Sequence, residues 1–312
     1  MRKMGRHILV IITTALLLTA LLGLLACGKA STTVTSPQGV SETETTPGWS
    51  AVSGGTTYSL RSVWGSSGSD VFAAGPSGVL HYDGSTWSPA NIIQRFDFVG
   101  IWGSSGSDVF ATGNTGILHY DGSAWSVMDT GSGHGFQGIW GSSGSDVFAV
   151  SATGIFHYDG SVWSVMSGVT TSGLLGIWGS SGSDVFAVGI TGNIFHYDGS
   201  AWSAMDSGTT KSLVGVWGSS GSNVFAVGES GTILHYDGSA WSVMSSGTKA
   251  DLRGIWGSSA SDIFAVGAST ILHYDGSAWS IMSSGMGYGL TGVWGSSATD
   301  VFAVGYHTIL HY

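Results

Sequence analysis

The chain has 312 residues, of which 9% are charged, 52 are glycine and 14 are tryptophan, and nine Lys and Arg stand against nineteen Asp and Glu for a net charge of −10. That acidity excludes nucleic acid as a partner and a polybasic grip on anionic lipid, since both need a cationic surface. The single cysteine, Cys27, excludes an internal disulfide.

In chain order, Arg2, Lys3 and Arg6 come first, followed by an uncharged apolar stretch from Ile8 to Ala26 and then Cys27. Leu24-Leu25-Ala26-Cys27 resembles the lipobox of bacterial lipoproteins, in which a signal peptidase cuts before a diacylglyceryl-modified cysteine. The resemblance implies a signal peptide over residues 1–26 and lipidation of Cys27. An uncleaved anchor is the alternative, because the stretch is close to the roughly 20 residues that span a bilayer. Both readings place the rest of the chain outside the cytoplasm, on the bacterial membrane or cell surface. Residues 27–47 follow as Ser, Thr, Gly and Glu with few large apolar side chains, which suits a flexible linker and not a core. Removing Arg2, Lys3 and Arg6 with the signal leaves an even more acidic chain.

From residue 48 onward one unit is written repeatedly. The tryptophan of W-G-S-S stands at Trp64, Trp102, Trp140, Trp178, Trp217, Trp256 and Trp294, always 38 or 39 residues apart. A period near forty marks a circular β-repeat architecture. Each unit holds four short runs rich in β-branched and aromatic residues; in the fifth copy these are Leu213 to Trp217, Val224 to Gly228, Thr232 to Tyr236 and Trp241 to Met244. Runs of this length are strands and too short for helices. Asp237-Gly238 between the third and fourth runs is a hairpin signal, and G-S-S-G-S-D between the first and second is turn chemistry.

Runs such as Val185-Phe186-Ala187-Val188 are apolar on both alternations, so both faces of each sheet are buried. Seven sheets arranged radially achieve this, giving an all-β, seven-bladed β-propeller over residues 48–312. The last copy stops at His311-Tyr312 without its fourth strand, while Trp49 to Ser53 reads as a fourth strand lacking its first three. Pairing the two completes the last blade and closes the ring.

The seven histidines that begin with His81 are one per blade, so radial symmetry separates them and argues against a shared metal ion. They are expected to be buried and hydrogen-bonded to a turn Ser or Asp of their own blade. The fourteen tryptophans, two per blade, are expected to pack blade against blade. No cofactor motif is present.

Positions identical in every copy serve the shared fold, and positions that differ are free for something else. The loops between first and second strands, and between third and fourth, are nearly constant; those between second and third strands, and between blades, vary. The two variable sets emerge on one face, so a specific site belongs there, at the channel mouth. The candidates are Glu229, Tyr306 and His307 from second-to-third loops and Arg95 from an inter-blade loop. Arg61, Gln137 and Arg253 are added from the varied series at the start of each first strand, Arg61, Val99, Gln137, Leu175, Val214, Arg253 and Thr291. Arg253, Tyr306, His307 and Arg61 come from consecutive blades six, seven and one and form the best local cluster. Ordinary drift on a solvated surface is the competing explanation.

On these repeats the chain resembles bacterial propeller-repeat proteins, in the broad group of WD-repeat, kelch, Asp-box and photosystem-assembly-factor-like propellers. No Trp-Asp dipeptide closes a blade, the kelch double glycine is absent, and D-G-S-T-W at Asp83 to Trp87 is one residue shorter than an Asp-box. The closest likeness is to near-identical propeller repeats of bacterial surface lipoproteins. The resemblance implies a tethered, monomeric binding scaffold for a protein partner. A lectin-like glycan binder would repeat one polar constellation in each blade, which these loops do not. A sialidase-like glycosidase would need an arginine cluster, a tyrosine nucleophile and an acid; the repetition leaves few residues for such an asymmetric site, so an enzyme is not expected. Assistance in assembling a membrane complex is what the photosystem-factor likeness implies.

Overall fold

The computed structural model describes residues 33–35, 41–43, 48–52, 57–92, 96–131, 133–169, 173–268, 270–282 and 289–312. The chain divides into two units, Met1–Thr46 and Pro47–Tyr312. Within the first, Thr33–Thr35 pairs antiparallel with Ser41–Thr43, a short ladder in a stretch expected to lack regular structure. The signal segment and Cys27 lie outside the described residues.

The second unit is a seven-bladed β-propeller whose blades are four-stranded antiparallel sheets, with the strands in sequence order in six of them. In the fifth blade they are Leu213–Ser220, Asn223–Gly228, Ile233–Tyr236 and Trp241–Met244. The first strand runs three residues further than the sequence suggests, through Gly218-Ser219-Ser220, so the presumed six-residue loop shrinks to a tight turn at Gly221-Ser222. A register shift between Gly218 and Ser220 makes this possible, and equivalent shifts recur in the other blades.

The core is built between blades. Phe72, Ala74 and Val79 of the first blade pack on Phe98, Ile101, Val109, Ala111 and Leu118 of the second. The fourth and fifth blades meet in the same way, through Phe186, Val188 and Ile194 against Leu213, Val216, Val224 and Leu234. The V-F-A-V run therefore serves two interfaces, with alternate side chains facing opposite neighbours.

The W-G dipeptide has a specific cause. A Cβ on Gly141 would stand 2.6 Å from the Trp102 ring of the preceding blade, and one on Gly179 would stand 2.7 Å from Trp140. The contact continues from blade to blade and closes where the Trp294 ring lies over Gly65, so each tryptophan needs a residue without a side chain next door.

Ring closure follows the composite arrangement. Ser50 pairs with His311 and Ala51 with Leu310, and Val52 N–H donates to the Ile309 carbonyl at 3.0 Å. Trp49 is buried against Phe264, its ring edge-on at 5.9 Å. At the seam itself, Leu60, Val63 and Leu80 of the first blade pack on Phe302, Val304 and Ile309 of the last.

Candidate functional site

Antiparallel register sorts the loops onto two faces. Leu213 pairs with Gly228, so the start of each first strand lies beside the second-to-third loop. Ser220 pairs with Asn223 on the opposite side, and Tyr236 with Trp241 brings the D-G-S turn to that same side. One face is thus constant and the other variable.

The constant face repeats one network. In the third blade, Asp146 takes the Ser142 hydroxyl on Oδ2 and lies 2.6 Å from His157 Nε2 through Oδ1, and the imidazole packs on Phe148 at 4.5 Å. These histidines are half-buried and not fully buried as expected, because the outer edge of the ring meets solvent. The aspartate stands between serine and histidine, whereas a hydrolytic triad needs the histidine in the middle to take the hydroxyl proton. The serine therefore lacks the imidazole base of such a triad. Asp146 also reaches the next blade, where a Cβ on Gly182 would collide with its carboxylate.

The fifth blade alone carries an amide here. Asn223 Nδ2 donates to Ser219 Oγ at 2.7 Å, and its Oδ1 lies 2.6 Å from His235 Nε2. Burial lowers the His235 pKa, with the Asp237 charge opposing. In the adjacent turn, Asp237 Oδ1 accepts from the Ser239 hydroxyl at 2.6 Å and from the Ser239 and Ala240 amides at 2.9 and 3.0 Å. These bonds, the hydroxyl first, hold the Asp237 carboxyl at about 2. Asp121, Asp198 and Asp275 are held at about 2 for the same reason.

The variable face opens onto a central cavity of about 620 Å³ lined by the first strands of all seven blades. Arg61, Gln137 and Arg253 all line it. Arg61 Nη1 lies 2.9 Å from Asp97 Oδ1 of the second blade, a charge contact without hydrogen-bond alignment. Arg253 is exposed and makes no ion pair among the described residues. Thr291, from the same series, is occupied with backbone, its hydroxyl donating to the Leu60 carbonyl at 2.8 Å.

The structure does not bring Tyr306 and His307 into this cavity. They sit one strand further from the axis, where Ser59 bridges to Tyr306 and His307 Nδ1 lies 2.7 Å from the Thr57 carbonyl oxygen. Glu229 opens a short 3₁₀ turn, and its Oε2 accepts from the Ser212 amide at 3.3 Å. Arg95 lies outside the described residues. The Asp97 contact with Arg61 was not foreseen; the only sequence signal for it is an acid in a variable loop directly before a first strand.

No protein-family model and no curated protein sequence matches the chain. Among solved structures it is similar to YCF48 bound to D1 peptide, with TM-score 0.69 and 17% identity over 86% of this chain and 97% of that one. It is similar also to the WD40 β-propeller domain of Doa1, with TM-score 0.73 and 12% identity over 85% and 96% of the two chains. Streptogramin B lyase gives TM-score 0.73 and 13% identity over 84% and 95%. Identities this low establish the propeller fold and nothing finer.

Proposed function

We propose that this propeller is a tethered extracytoplasmic scaffold that engages a protein partner through its variable face. The observation that carries this reading is the segregation itself. The strongly varied loops, the central cavity and every described lysine and arginine of the propeller, Arg61, Lys211, Lys249 and Arg253, fall on one face. Selection for packing alone gives no reason for such one-sidedness.

Topology supports presentation of that face. Fourth strands run from the constant to the variable side, so the chain joins the ring at Trp49 on the constant side. YCF48, a propeller of this fold, is bound to a peptide, which fits a protein partner. The constant-face serines face a carboxylate and not an imidazole, which argues against triad-type hydrolysis there.

Photo-crosslinking in intact cells tests the reading. A photoreactive residue at Tyr306 is expected to give a discrete protein adduct, and one at Ser85 on the constant face none. Adducts from Ser85 alone, or from neither position, would refute the scaffold assignment. Cys27→Ser is expected to release the chain from the membrane fraction; unchanged retention would refute the lipid tether.

A further inference from the structure

We infer that the central cavity is a carboxylate-binding site in which Arg253 receives the anion and the aliphatic residues of the lining receive its apolar body. This deepens the scaffold reading and rests on it for the partner's being a protein.

The cavity carries two arginines in unequal states. Arg61 is matched by Asp97 at 2.9 Å. Arg253 comes from the sixth blade, and its nearest acid in sequence is already engaged: Asp251 Oδ1 accepts from the Ser230 amide at 2.8 Å. Glu229, from the preceding blade, is directed to the Ser212 amide. Both carboxylates are thus held by loop amides, and Arg253, which lines the cavity, makes no ion pair among the described residues, so its five donors are available to an anion.

Aliphatic residues share the cavity lining with Asn114, Gln137 and Thr291. Val63, Ile101, Ile139, Ile177, Val216 and Ile255 line the cavity, each 5–8% exposed. A guanidinium beside these aliphatic edges fits a carboxylate borne on an aliphatic group. A chain terminus ending in an aliphatic residue and an acidic side chain both present that chemistry.

Repetition provides the test variant. Val99, Leu175 and Val214 occupy the position of Arg253 in other blades, so Arg253→Leu copies what the fold already tolerates. Saturation-transfer NMR on the purified full chain in detergent would compare N-acetyl-leucine, N-acetyl-leucinamide and N-acetyl-glutamic acid 1-amide. Saturation of the leucine methyls is expected with the acid and not with the amide. Arg253→Leu should weaken the acid roughly tenfold, as loss of a charged hydrogen bond would, while Arg253→Lys keeps part of the affinity. Asp97→Asn, which releases Arg61, should strengthen it.

Binding by N-acetyl-leucine over the glutamate probe would identify a chain terminus as the source, and the reverse an acidic side chain. Equal signals from acid and amide, no signal from either acid, or an acid affinity unchanged in Arg253→Leu would overturn the assignment. If the acids fail while the Tyr306 crosslink persists, the carboxylate site falls and the scaffold stands. If the acids bind while no crosslink forms, the site stands and the protein partner falls.

Discussion

The two faces of this ring are built from the same seven units yet behave as different materials. The constant face repeats one Ser-Asp-His network and one Asx turn, and each blade leans on the next through a tryptophan over a glycine. The variable face holds all three non-glycine residues with left-handed backbone among those described, Thr191 at φ 57°, Ser230 at φ 55° and His307 at φ 52°. Such conformations cost free energy and persist only where the surroundings impose them. The constant face carries the shared order, which leaves the opposite loops free to differ.

The largest test of this contrast breaks the ring. Trp49→Ala removes the buried anchor of the closing strand and is expected to lower stability by about 3–5 kcal/mol in urea unfolding, in line with large core truncations. A midpoint unchanged from the parent would mean the ring closes without its N-terminal strand.

Next in size is a single methyl placed on each side. Gly141→Ala drives a Cβ into the Trp102 ring and should cost about 1–3 kcal/mol by overpacking. Gly133→Ala, in an inter-blade loop with open space around it, should stay within about 0.5 kcal/mol. Equal costs would remove the claimed difference between the faces.

Acid should act on the constant face first. Asp121, Asp198, Asp237 and Asp275 are held at about 2, below the ordinary aspartate value of 3.8. A carboxyl lowered on folding contributes stability that is complete above its unfolded pKa and lost as pH falls through the folded one. Thermal midpoints should therefore decline between about pH 4 and pH 2 from this source, and a plateau across that interval would discount the turn bonds.

A subtler change converts the odd blade into the common type. Asn223→Asp adds a carboxylate 2.6 Å from His235 Nε2, so the His235 titration midpoint, read from its ring proton by NMR, should rise. No rise would mean that burial alone sets it. Smallest of all, Arg253→Leu should leave stability within about 0.5 kcal/mol, as for an exposed position; a larger loss would make Arg253 a structural residue.

The repeat was legible because its causes are local. Trp-Gly spacing, Asp-Gly hairpins and doubly apolar runs such as Val185 to Val188 each state a physical requirement within a few residues. The truncated final copy and the stray Trp49 strand made the composite blade readable too. The first strand's extension through Gly218 to Ser220 was not, because it goes with a register shift against the second strand, while the Gly and Ser residues there read locally as a loop.

The candidate site was legible only as a face. Comparing the copies singled out Arg61, Gln137 and Arg253, and the first strands carry all three to the axis. The grouping of Tyr306 and His307 with them rested on adjacent blades, which ignores radius: residues from second-to-third loops stand one strand further out. Amino-acid order by itself therefore determined the fold, the number of blades and which loops share a side, since periodicity and turn chemistry act along the chain. Only the tertiary structure decided that Arg61 meets Asp97 while Arg253 makes no ion pair among the described residues, because charge pairing depends on distances between blades that sequence separation does not encode.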